Sequence, residues 1–259
     1  MEKMTGADNT GLGSSQIANI PFVLTRQVKE MGSACVSLIA TRDMGVAHGE
    51  AGVGKTLTAA RMIDTWKKRG HPKGLYVSAD VRISPRQMMR KILREYDDIR
   101  PAHDDDAKQV LKTLVEKKHI EIIIVDEAER LSRETLDFVR SIFDDMEVPI
   151  LLIGMMDLLQ KLRSHKKFYS RIGIAYNYTA LTYEQLQEHL KALHPLLDRL
   201  SRNGDLYNQL VEFVFKTTNG EFRRIARLIK QGERIRILNN CAEFSLEIFK
   251  MASESLLNP

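Results

Sequence analysis

The run Gly49-Glu50-Ala51-Gly52-Val53-Gly54-Lys55-Thr56, with Leu57 behind it, constrains this chain more than any other feature. It follows the short apolar run 44–49 and precedes TLTAARMIDTWKKR, which carries helical spacing. Strand, glycine loop and helix are the context that G-x-x-x-x-G-K-[ST] requires. The glycines let the backbone wrap, so that its N–H groups and the positive end of the helix face a polyphosphate. Lys55 is then expected to bind the β- and γ-phosphates of ATP and Thr56 a Mg²⁺ ion.

A second motif closes the run IEIIIVDEAER, where an apolar strand delivers Asp126 and Glu127 at its C-terminal edge. Asp126 is expected to hold Mg²⁺ and Glu127 to orient or deprotonate the attacking water. An adjacent second acid favours nucleotide hydrolysis over transfer to a small alcohol.

Around these motifs, apolar runs at 44–49, 74–80, 120–126, 148–154 and 173–179 alternate with helix-period segments at 56–69, 85–96, 105–118 and 132–145. Unbroken apolar strands signal a parallel sheet covered on both faces, so the fold class is α/β. Beyond Leu181 the remaining segments, from TYEQLQEHLKAL to AEFSLEIFKMASESLL, all read as helix. The expected organisation is a mobile Gly/Ser/Asn-rich tail over 1–19, a P-loop α/β domain over 20–180 and a small all-helical lid over 181–259.

Composition narrows the classes. The chain has 259 residues, 43% hydrophobic and 28% charged, enough for a core without disulfides, and its two cysteines, Cys35 and Cys241, form no CxxC clamp. The longest apolar stretch, 148–159, is interrupted by Asp157 and is shorter than the roughly 20 residues a membrane-spanning helix needs. No membrane association and a cytoplasmic location are expected. The seven histidines show no ligand spacing, and Tyr76, Trp66 and most phenylalanines fall at core periods and read as packing.

With FYSRIG at 168–173 and NGEFRRIARLI at 219–229, these motifs make the chain resemble the AAA+ ATPases, and more closely the DNA-transposition regulators of the phage Mu B, TniB and TnsC kind. The resemblance runs from Phe22 to Leu238. Its more specific parts are the lead-in FVLTRQVKEM and the block IIIVDEAERLSRETLDFVRSIFDDMEVPILLIGMMDLLQKL. The resemblance implies that Arg171 is an arginine finger acting on a neighbouring subunit's ATP, and that Arg223, or the adjacent Arg224, is the sensor 2 arginine of the lid. It also implies a polar sensor 1 side chain after the fourth strand, where this chain has Met155. A thioether is a poor donor and acceptor, so slow hydrolysis suited to a timing switch is expected.

A net charge of +5 is compatible with a polyanion partner. In VRISPRQMMRKILREY, Ser84 reads as an N-cap with Pro85 at the first helical position. Arg86, Arg90 and Arg94 then recur on one face, with Arg82 just ahead of the cap, opposite Met88, Met89, Ile92 and Leu93. Such a stripe suits a DNA phosphate backbone, without base identity. A second stripe, Arg223, Arg227, Lys230 and Arg234, reads as solvated or as part of the nucleotide and subunit interface.

The expected function is an ATPase that oligomerises on double-stranded DNA as a ring or helical filament, recruits or regulates a transposase and leaves on hydrolysis. A replication-initiation or helicase-loading ATPase, and an ATP-gated interaction scaffold, are the alternatives.

Overall fold

A computed structural model describes residues 22–70, 73–97 and 104–256. The expected tail over 1–19 lies outside the described residues. The α/β part opens with α1 (Arg26–Thr41), capped by the Thr25 side chain, followed by β1 (Met44–His48) and α2 (Lys55–Arg69). Next come β2 (Gly74–Ser78), α3 (Pro85–Asp97), α4 (Asp104–Lys118) and β3 (Ile122–Asp126). A single 3₁₀ turn at Ala128–Arg130 leads to α5 (Arg133–Met146) and β4 (Ile150–Gly154). Two short helices, α6 (Leu158–Arg163) and α7 (Lys166–Tyr169), precede β5 (Ile172–Asn177).

All strand pairs are parallel, in the order β2-β3-β4-β1-β5. Alternation along the central strands feeds two cores. Val46, Ile123, Val125, Ile150 and Leu152 face α3, α4 and α5, while Ala47, Ile122, Ile124, Leu151 and Ile153 face α1 and α2. Because β3 and β4 are buried on both faces, their sequences are unbroken apolar runs. The edge strand β5 alternates half-buried and exposed residues.

The helical part comprises α8 (Tyr183–His189), α9 (Pro195–Leu200), α10 (Gly204–Thr218), α11 (Phe222–Leu238) and α12 (Leu246–Glu254), around a core that includes Leu186, Leu197, Val211, Ile225 and Phe249. The segment read as one helix from Tyr183 divides instead. A 3₁₀ turn over Leu190–Leu193 ends at extended His194, which the following Pro195 keeps out of the helical region, and α9 starts afresh. Among the described residues no helix is long and apolar enough to cross a membrane.

Candidate nucleotide site

The parallel sheet delivers its functional groups at one edge, since β1, β3 and β4 all end there. Gly52 and Gly54 hold φ of 78° and 110°, a region that disfavours side chains, so the loop's reversal rests on glycine. Gly49 has a different reason, because a Cβ there would lie 2.1 Å from the carbonyl oxygen of Tyr178. The Lys55 ammonium is drawn into the loop, donating to the carbonyls of Gly49 at 2.8 Å and Glu50 at 2.7 Å. Burial lowers its pKa, and the Asp126 and Glu129 carboxylates oppose that shift.

Asp126 is 2% exposed and holds two hydrogen bonds. Its Oδ2 accepts from the Tyr76 hydroxyl at 2.8 Å and its Oδ1 from the Glu127 amide at 2.8 Å. Tyr76 is thus more than packing: it fixes the rotamer of the carboxylate, and its own pKa is raised, first by burial and then by Asp126. No spacing rule marks it, although its place on β2 beside β3 is implied by the parallel order.

Glu127 sits in the left-handed region at φ 55°. Its carboxylate accepts from Ser78 Oγ at 3.3 Å and pairs with Arg130. Burial raises its pKa, Arg130 opposes this, and Asp126 adds to it. A raised carboxylate is a better proton acceptor than an ordinary one.

These groups line one cavity of about 920 Å³ with Gly52, Gly54, Lys55, Thr56 and Leu57. Helix α11 contributes Arg223, Arg227 and Lys230 to the same wall, so three of the four cations of the second stripe face the cavity. The Arg223 amide also donates to the Gly52 carbonyl at 2.9 Å. Arg224 is placed differently, its guanidinium donating to the Thr217 carbonyl at 2.6 Å. A smaller apolar recess of about 20 Å³ lies across the loop, lined by Phe22, Val53, Leu57, Tyr178 and Phe222. Sequence reading missed this recess because its aromatics come from three distant stretches.

Arg171 is not among the cavity's lining residues. It precedes β5 and grips Asp144 of α5 with two nitrogens, at 3.1 and 3.3 Å. The stripe of α3 lies elsewhere again. Arg82, Arg86, Arg90 and Arg94 are exposed, Met88, Met89, Ile92 and Leu93 are buried, and Ser84 with Gln87 forms the expected cap. Thr135 of α5 donates to the Ile83 carbonyl at 2.7 Å, tying this cap to the segment after Asp126. Among the described residues no cluster of three or more His, Cys, Asp or Glu could hold a metal alone.

Residues 39–162 match the family described as AAA domain. This span is similar to an AAA domain. The wider chain is 26% identical, over 268 residues, to a potential ATP-binding protein of Staphylococcus aureus, covering 92% of this chain and 97% of that one. In fold, the α/β part and its helices resemble the Aeropyrum pernix ORC2 protein solved in ADPNP–ADP complexes, with TM-score 0.68, 19% identity, and 91% and 69% of the two chains covered. The Aeropyrum pernix ORC1 protein, solved in complex with DNA, gives TM-score 0.63 and 18% identity, with 90% and 66% covered. The α/β fold, with its five-stranded parallel sheet and C-terminal helices, is thus shared with these two proteins.

Proposed function

We propose that this AAA+ protein is an ATPase that binds ATP, assembles head to tail on double-stranded DNA, delivers a partner protein there and leaves when ATP is hydrolysed. The observation that carries the chemistry is the convergence of Lys55, Asp126, Glu127 and lid residue Arg223 on one cavity. In this reading the loop amides and Lys55 hold the β- and γ-phosphates, Arg223 touches the γ-phosphate from the lid, and Glu127 takes the proton of the attacking water. The recess beside Leu57 receives the base once Phe222 and the lid give way. Oxygen donors from Thr56 and Asp126 fit a hard divalent cation, and Mg²⁺ held by them would neutralise charge on the phosphates.

Arg171 acts on the ATP of the next protomer. Its position away from its own cavity suits that role, and a head-to-tail contact yields a ring if it closes and a helical filament if it does not. Arg82, Arg86, Arg90 and Arg94 run along the DNA backbone.

Likeness in fold to the two ORC proteins supports the replication-initiation or helicase-loading version of this function. The transposase-regulating version is carried by sequence resemblance in FVLTRQVKEM and the block from Ile122. Co-purification separates them, since a helicase or a transposase would be retained with ATP and released with ADP.

The DNA assignment is tested by salt dependence. Each phosphate neutralised contributes about −0.9 to the slope of log K against log salt. Replacing Arg86 and Arg90 by Ala should flatten the slope by about two units per protomer and leave sequence preference unchanged. An unchanged slope would remove the stripe from the DNA interface and favour the scaffold alternative.

A further inference from the structure

We infer that Glu129 takes over the task that Met155 cannot perform, orienting the attacking water from the sensor 1 position. This rests on the ATPase reading above. Glu129 lies in the 3₁₀ turn after Asp126 and lines the same cavity as Lys55 and Glu127. Its side chain crosses to the end of β4, where Oε2 accepts from the Met155 amide at 3.2 Å. The carboxylate lies so close to the Cα of Gly154 that a Cβ there would sit 2.5 Å from Oε2. The position that lacks a polar side chain is thus covered by a carboxylate reaching in from the neighbouring strand's turn.

Holding the turn does not require this side chain. Lys161 donates to the main-chain carbonyls of Glu129 at 2.6 Å and Leu131 at 2.5 Å, so the turn is clamped through its backbone. The carboxylate is felt electrostatically across the cavity, opposing the pKa lowering of Lys55 and raising that of Glu127.

The chemistry gives the second carboxylate a purpose. A water aligned for attack on the γ-phosphorus directs a lone pair at it and presents two O–H donors to its surroundings. A carboxylate is an acceptor only, and a thioether is a weak one. Glu127 accepts one O–H and Glu129 the other. As the water oxygen bonds to phosphorus, the bond from phosphorus to the β-γ bridging oxygen breaks and ADP leaves with that electron pair. The released proton passes to Glu127, while Glu129 serves only as the second acceptor.

Steady-state ATPase assays of Glu129→Gln, alone and with Met155→Asn, test this beside equilibrium ATP binding and thermal melting. Gln keeps an oxygen acceptor for the Met155 amide, so the turn and the melting temperature should hold, and ATP should bind as in the parent. The kcat should fall on the order of 10²-fold, the lower end of what a positioned acid–base group contributes. Met155→Asn, which restores an amide at sensor 1, should recover at least about a tenth of the lost rate in the Glu129→Gln background. If Glu129→Gln turns over within about 3-fold of the parent while Lys55→Ala is dead, the inference fails and the ATPase reading stands. A loss of ATP binding or melting temperature with no recovery by Met155→Asn makes Glu129 structural, which also overturns it. A parent protein without ATPase activity would bring down the functional reading first, and this inference with it.

Discussion

Gly220→Ala probes the joint between the α/β part and the helical part. Gly220 follows the αL C-cap Asn219 of α10 and itself holds φ 70°. A Cβ on it would stand 2.0 Å from the Leu181 carbonyl oxygen and 3.0 Å from the Leu181 carbonyl carbon. Both are main-chain atoms, so no side-chain rotation relieves the contact. The Leu181 amide donates to the Gly220 carbonyl at 3.0 Å, and moving the two segments apart sacrifices that bond. Left-handed backbone costs an L-residue about 1–2 kcal/mol, and the lost hydrogen bond adds about 1. The sum is roughly 3 kcal/mol, which at about 2–4 °C per kcal/mol lowers Tm by about 6–12 °C. Gly32→Ala is the matched control: it lies inside α1 and its Cβ would meet nothing within 4 Å. There Ala should stabilise by about 0.5–1 kcal/mol. Melting followed by circular dichroism reads both. A Gly220→Ala protein melting within about 2 °C of the parent would refute the steric argument.

Lys55→Ala should lose ATP binding in a filter or fluorescence assay, whereas Glu127→Gln should bind ATP and accumulate as the assembled form in sedimentation. Equal loss of ATP binding in both would overturn the division of roles. Arg171→Ala should be inactive alone but regain activity when mixed with Lys55→Ala, because each supplies what the other lacks; the gain can reach a finger's roughly 10³ to 10⁵-fold. Co-assembled mixtures as inactive as their parents would place the finger elsewhere. Asp144→Asn should ease assembly by about 2–5-fold in protein concentration, since the Arg171–Asp144 pair, with side chains 36% and 29% exposed, is of the sort worth up to about 1 kcal/mol. A midpoint unchanged or raised in analytical ultracentrifugation would show that Arg171 never leaves Asp144.

What the sequence made legible follows from the reach of each signal. IIIVD and ILLIG announce central strands because burial on both faces removes every polar residue but Asp126, the candidate cation ligand. The P-loop is readable because its glycines are demanded by local backbone geometry. Tyr76 on Asp126, Asp144 on Arg171 and Glu129 on the Met155 amide were not readable. Each joins residues on different elements, through contacts that no period of 2 or 3.6 encodes. The same limit left Arg223 and Arg224 equivalent in sequence. A rotation of about 100° between neighbours on a helix separates them, sending Arg223 to the cavity and Arg224 back to Thr217.

The bond from the Arg223 amide to the Gly52 carbonyl ties the first turn of α11 to the glycine loop, and with it the proposed lid to the charge of whatever that loop holds. A helix leaves its first amides unpaired and carries a partial positive charge at that end. Here α11 rests that end on the loop whose far side starts α2, so two helix N-termini converge on one patch of backbone. An anion seated in the loop would be pulled on by both, and the pull would grow with each phosphate it carries. In the proposed function, losing the terminal phosphate would weaken the pull of the α11 end while α2 keeps its own, so the ligand's charge would set how firmly the helical part is held to the loop.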